Sequence, residues 1–152
     1  KMAGEPFKTD LPMPKFDRVP IAEPVKDIKH AKIAIVTSSG VVPQGNPDHI
    51  ESSNATRFGY YSIEGMDRLD KKDFFTVHGG YDRQFVLENP NLAVPVDAMR
   101  NLEKAGEFGE LVNYFAATTG TGTATGSAAK FGDAIGKRLL EENVQAVILT
   151  ST

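Results

Sequence analysis

Three short apolar runs restrict what this chain can fold into: Ile33-Ala-Ile-Val36, Val112 to Ala117 and Ala146-Val-Ile-Leu149. Each is too short for a buried helix and, apart from Asn113 in the second, too apolar for a half-exposed strand, which is the pattern of strands covered on both faces of a parallel sheet. Each also runs directly into small polar residues: Thr37-Ser-Ser-Gly40, Thr118-Thr-Gly-Thr-Gly-Thr-Ala-Thr-Gly126 and Thr150-Ser-Thr152. Between them lie two helical patterns. Pro95 suits a first helical turn, Met99 and Leu102 share a face, and Gly106 ends the segment, predicting a helix over about Val96 to Ala105. Ala128, Phe131, Ile135 and Leu139 recur at helical spacing with Lys130, Asp133 and Lys137 turned away, predicting a second over Ser127 to Glu142. Gly132 and Gly136 sit on that helix, four residues apart, and are read as points of close helix-on-sheet packing.

This succession predicts an α/β domain: a three-layer, doubly wound sheet, mainly parallel, Rossmann-like or flavodoxin-like, with strands near Lys32 to Thr37, Val112 to Ala117 and Gln145 to Thr150. Five of the 9 prolines fall within residues 1–24, so residues 1–30 are read as an extended connector and residues 31–152 as an incomplete α/β domain. Val41 to Asn91 is dense in Gly, Pro, Asn, Asp and Ser, and reads as loop apart from a strand at Phe74 to Val77. A loop of that length inside a compact domain is usually functional.

Composition removes several function classes. There is no cysteine, so disulfides, thiolate zinc sites and thiol catalysis within these residues are excluded. The net charge is -3, with signs interspersed and no basic block, which argues against nucleic acid as a partner. No apolar run approaches the roughly 20 residues that span a bilayer, and the expectation is a cytoplasmic protein.

Ligands of parallel sheets bind outside the carboxyl ends of the strands. Three loops leave such ends: Ser38-Ser39-Gly40, His78-Gly-Gly-Tyr-Asp82 and Thr118 to Gly126. The threonine-glycine loop precedes a helix, where free N–H groups and the dipole attract an anion, so Thr119, Thr121 and Thr123 with Ser38 and Ser39 are candidate donors to a carboxylate or phosphate. Thr125 occupies the third-glycine position of a dinucleotide fingerprint, and no Gly-Lys-Ser/Thr follows, so neither that motif nor a P-loop is present. The alternative reading is a loop that turns a strand into a helix. His78 is a candidate acid/base or carboxylate donor, or else a loop histidine bonded to local backbone. Arg57 has the geometry to pair a carboxylate with two prongs, and is equally an ordinary surface arginine. Asp48, His49 and Glu51 lie close in sequence, but not at a recognised ligand spacing, and no metal site is assigned.

The strings Ile35-Val-Thr-Ser-Ser-Gly-Val-Val-Pro-Gln-Gly-Asn-Pro-Asp-His-Ile-Glu-Ser-Ser53, Val77-His-Gly-Gly-Tyr-Asp82 and Ala146-Val-Ile-Leu-Thr-Ser-Thr152 resemble the selenoprotein B family of glycine/sarcosine/betaine/D-proline reductases. The resemblance runs from about Lys32 to Thr152. It implies a selenocysteine directly after Thr152, within a selenocysteine-x-x-Cys-x-x-Cys pattern. No residue of the present chain would then be catalytic, and the fragment by itself is expected to be inactive and either poorly soluble or partly unfolded. It also implies a partner subunit whose pyruvoyl group engages the substrate amine, a selenolate that cleaves the C–N bond, and transfer of the product to selenoprotein A in an anaerobic, amino-acid-fermenting cell. The codon after Thr152 is accordingly expected to be UGA. Glycine is the expected substrate, ahead of sarcosine, betaine and D-proline. Two other readings use the same residues: an α/β enzyme without selenium, and a non-catalytic domain for docking or small-anion binding.

Overall fold

The computed structural model describes residues 18–152. In chain order they form β1 (Lys32–Thr37), β2 (Val41–Pro43), β3 (Gly59–Ser62), β4 (Phe74–Thr76), α1 (Gln84–Glu88), α2 (Val96–Lys104), β5 (Glu110–Ala117), α3 (Thr125–Glu141) and β6 (Ala146–Thr150). Short 3-10 turns occupy Ile28–His30 and Pro90–Leu92.

The main sheet runs β3-β5-β1-β6, and β1 is parallel to both neighbours. Its three parallel strands therefore lie in the order second, first, third along the chain, the order with which 2-1-3-4-5 doubly wound sheets begin. β3 closes one side antiparallel to β5. Register between β1 and β5 slips so that Ile33 faces Leu111 but Ile35 faces Phe115. The slip is even, so no side chain changes face.

Alternation along the strands feeds two cores. Ile33, Ile35, Leu111, Phe115 and Tyr61 point to one face, where Val96 and Met99 of α2, Phe108, Val41, Val42 and Phe74 cover them. Ala34, Val112 and Ala116 point to the other, against Phe131, Ile135 and Leu139 of α3. Helices thus pack on both faces of a mixed, mostly parallel sheet, and the α/β class stands.

Several details differ from the sequence expectation. β5 begins at Glu110 and α3 at Thr125, each two residues earlier than the patterns indicated. Residues 41–91 hold β2, β3, β4 and α1 rather than one strand in loop. β2 and β4 form their own antiparallel ribbon. β4 falls within the strand expected at Phe74 to Val77, whereas β2 and β3 were missed because they are three and four residues long, shorter than a period-2 pattern needs to register. Leu102 does not share a buried face with Met99: it is 45% exposed against 5%. Gly132 and Gly136 do not contact the sheet at all, since a Cβ built on either meets nothing within 4 Å. They lie on the side of α3 turned away from β1 and β5. Residues 1–17 of the proline-rich connector lie outside the described residues, and 18–27 carry neither helix nor strand.

Candidate functional site

The carboxyl ends of β1 and β6 adjoin. Ser38 N–H donates to Thr150 O (3.1 Å), and the Ser38 hydroxyl donates to Ser151 Oγ at 3.2 Å. This is where strand order reverses, since the chain leaves β1 for β5 on one side and returns past it to β6 on the other. A cavity of about 370 Å³ opens there, under the amino-terminal half of α3. Its polar end is formed by Ser38, Thr118, Thr119, Gly120, Thr123 and Ser151, its apolar wall by Val36, Ala128, Phe131, Ile135 and Leu149.

The threonine-glycine loop is held to the body of the protein mainly by its own hydroxyls. Thr118 Oγ1 donates to Arg57 O (2.8 Å). Thr123 Oγ1 donates to Thr119 O (2.6 Å) and accepts from Ala55 N–H (2.9 Å). The Gly120 and Thr123 amides donate to Ser38 O and Gly120 O. Much of the donor capacity read from the sequence is therefore spent on positioning the loop. Thr119, fully buried, keeps a hydroxyl with no partner. Ala124 stands at the cap position of α3 and no side chain caps its first turn, so anion-attracting N–H groups remain beside the cavity.

His78 and Thr121 form a second cluster next to the first. His78 is buried, and its Nδ1 accepts from Gly80 N–H at 3.0 Å. The proton therefore sits on Nε2, which donates to Thr121 Oγ1 at 3.1 Å. Burial holds this imidazole below its ordinary pKa, favouring the neutral form that the pairing requires. Gly80 must be glycine for the contact to exist, because a Cβ there would fall 2.0 Å from Thr121 Oγ1 and 2.9 Å from His78 Cε1.

Behind these clusters lies a buried hydroxyl network. Thr37 Oγ1 and Ser39 Oγ are 2.7 Å apart, Thr76 Oγ1 donates to Ser39 O (2.8 Å), and Tyr81 OH donates to Thr76 Oγ1 (3.1 Å). Ser39 and Thr119 also pair as an isolated antiparallel bridge. Of the candidates read from the sequence, Ser38, Thr119 and Thr123 line the cavity, Ser39 sits in the network beneath it, and Thr121 and His78 pair beside it. Arg57 lies apart. Its guanidinium donates to His49 O (2.9 Å) and faces Glu51 at 3.8 Å, while Glu51 also accepts from Thr56 N–H and Oγ1.

Sequence reading passed over Ser52, Asn54 and Ala55, which brace the site from below. Gly79 N–H donates to Ser52 O and Asn54 N–H to Thr121 O. The left-handed φ of 53° at Asn54 makes that approach possible. It also passed over Ser151, which the pairing of β1 with β6 exposes. Among the described residues no group of three or more His, Asp or Glu side chains is placed to hold a metal ion. No helix there is long and apolar enough to cross a membrane.

The fold is that of an α/β protein, and the cavity, with hydroxyls at one end, lies where strand order reverses, the place at which such sheets bind ligands. Comparison with known proteins gives the family. Residues 1–152 match the family described as glycine/sarcosine/betaine reductase selenoprotein B, and the chain belongs to it. It is 59% identical, over all 152 residues, to the sarcosine reductase complex component B subunit beta of Peptoclostridium acidaminophilum. It is 49% identical to the glycine reductase complex component B subunit gamma of the same organism. The D-proline reductase subunit gamma of Acetoanaerobium sticklandii shares 33% over 141 residues, 87% of this chain and 53% of that protein. The chain spans 35% of the length of the first two relatives, and no solved structure matches it.

Proposed function

We propose that this chain is the part of a substrate-specific selenoprotein component B that builds the substrate pocket of an amino-acid reductase, acting in the cytoplasm in reductive C–N cleavage. The observation that carries the reading is the cavity at the joined ends of β1 and β6, in a chain that belongs to the selenoprotein B family. In that family's pattern a selenocysteine directly after Thr152 supplies the nucleophile, and a pyruvoyl group on a partner subunit activates the amine. The residues present fit such a neighbour. They offer no thiol of their own, and the Ser38–Ser151 hydroxyl pair marks the strand end from which it would project.

The roles assigned to this chain are binding and orientation. Ser38, Thr119 and Thr121, with the uncapped first turn of α3, hold a small carboxylate, and Thr123, whose hydroxyl is bonded to Thr119 O and Ala55 N–H, shapes the loop that carries them. Ser39 and His78 fix the loops that carry those donors, and Arg57 braces the threonine-glycine loop through its carbonyl. Holding one reactant in this way contributes several kcal/mol to a displacement, as an order of magnitude. Phe131 and Ile135 give the α-carbon side an apolar wall. Glycine is the substrate expected from sequence. The 59% identity to a sarcosine component, against 49% to a glycine component of the same organism, puts sarcosine ahead of it.

The experiment is expression of the full-length gene with its partner subunits and selenoprotein A in an anaerobic, selenocysteine-inserting host. Methylamine released from sarcosine, ammonia from glycine and trimethylamine from betaine are then measured, together with radioselenium in the residue after Thr152. Selenium at that residue with an amine released from one substrate is the expected result. Absence of selenium there sinks the proposal.

A further inference from the structure

One side of the sheet is unfinished. On the face covered by α3, Ala34 of β1 is buried, yet its register partner Val147 on β6 is 41% exposed and Leu149 is 77% exposed. Parallel strands are normally covered on both faces. Alongside β6, α3 turns toward solvent Gly132, Gly136 and Leu140, the last 76% exposed. The switch-point cavity and a second groove of about 450 Å³, floored by Gly132, Gly136 and Leu140, meet at Gly132. Asp133, Lys137 and Glu141 edge the second groove with charge. An apolar floor, two side-chain-free steps one helical turn apart and a charged rim fit an amphipathic helix packed closely against α3.

Topology says which helix. α3 carries the chain from β5 past β1 to β6, on the face of Ala34, Val112 and Ala116. A right-handed crossover continuing in that direction to a parallel strand beyond β6 places its helix on this same face, next to α3. The relatives matched along the whole of this chain are much longer than it, since 152 residues make up 35% of their length.

We propose that the α3–β6 groove is the seat of the crossover helix of a further β-α-β step, contributed by the same polypeptide outside these 152 residues. The helix covers Val147 and Leu149, crosses α3 at Gly132 and Gly136, and forms the missing wall of the switch-point cavity. The proposal uses the fold and the family's length, not the selenolate chemistry, and survives even if the chemistry proposed above is wrong.

Two measurements on the full-length protein test it. In hydroxyl-radical footprinting, Leu140 and Leu149 are expected to be oxidised several-fold more slowly than Leu92, which is 65% exposed on the opposite side of the domain and serves as reference. Thermal unfolding of Gly136→Leu supplies the second. Within this domain the new side chain meets nothing and replaces a poor helix former, so an empty groove predicts a higher melting temperature, whereas a seated helix predicts a fall of several degrees. Gly136→Ala provides a milder variant should Gly136→Leu fail to fold. Labelling of Leu140 and Leu149 at the rate of Leu92 would overturn the proposal, and so would a stabilised variant. Shielding that disappears on dilution would overturn it too, by assigning the groove to a second copy of the chain.

Discussion

Replacing Thr121 by valine removes one oxygen and almost no volume, and so isolates the contact that joins the His78 loop to the threonine-glycine loop. The imidazole is 4% exposed, and Gly80 N–H occupies its Nδ1. Its Nε2–H, now donating to Thr121 Oγ1 at 3.1 Å, would be left in the interior with no acceptor. A buried donor stranded in this way costs about 1–3 kcal/mol. In a domain of this size each kcal/mol moves the melting temperature by roughly 2–4 °C, so Thr121→Val should melt about 2–12 °C below the parent. Thr121→Ser keeps the oxygen and should melt within about 2 °C of it. Circular dichroism on the full-length protein at neutral pH measures all three. If the valine and serine variants melt together, the bond does not hold the loops, and the account of how the site is positioned is wrong.

The same histidine predicts a pH dependence. Because burial lowers its folded pKa, its contribution to stability is fully present above the unfolded value near 6.5 and is lost as pH falls from there toward the folded value. Urea midpoints measured across that window should decline with acidification, and His78→Gln should flatten the slope. Asn91 bridges both backbone groups of the fully buried Leu69, accepting from its N–H at 2.9 Å and donating to its C=O at 2.8 Å. Asn91→Ala should therefore cost about 2–6 kcal/mol in urea unfolding, and a loss below about 1 kcal/mol would contradict the bridge. At Gly120 an added Cβ would come 3.1 Å from both Cβ and Oγ of Ser38. On the function proposed above, Gly120→Ala in the full-length protein should raise the KM for its substrate while leaving the melting temperature close to the parent's, and an unchanged KM would remove Ser38 from the site.

The parallel core was legible because Lys32–Thr37, Val112 to Ala117 and Ala146–Thr150 are short and largely apolar, the pattern of strands in a covered parallel sheet. The direction of each was legible from the small polar residues that follow it. The antiparallel additions were not, since Val41–Pro43 and Gly59–Ser62 are too short to show alternation and are defined by partners far along the chain. Gly132 and Gly136 misled for a different reason. Glycine spacing on a helix reports that something comes close, and not which face it comes to. In the site, residue types pointed to the three loops, but whether a threonine hydroxyl faces a ligand or its own backbone depends on where Asn54, Ala55 and Arg57 lie in space, and local sequence carries no trace of that.

The central position of β1 bears on how the protein is made. β1 is the first strand of the sheet to leave the ribosome, yet it is hydrogen-bonded on both sides by strands made later. Lys32 N–H finds its acceptor on Gln145, 113 residues downstream. At roughly 5–20 residues per second, Ile33 and Ile35 wait on the order of ten seconds before both flanks of β1 can close. Until β5 has emerged β1 has no sheet partner, and until β6 follows one of its flanks stays open, so through that interval its apolar residues are available for pairing with another chain.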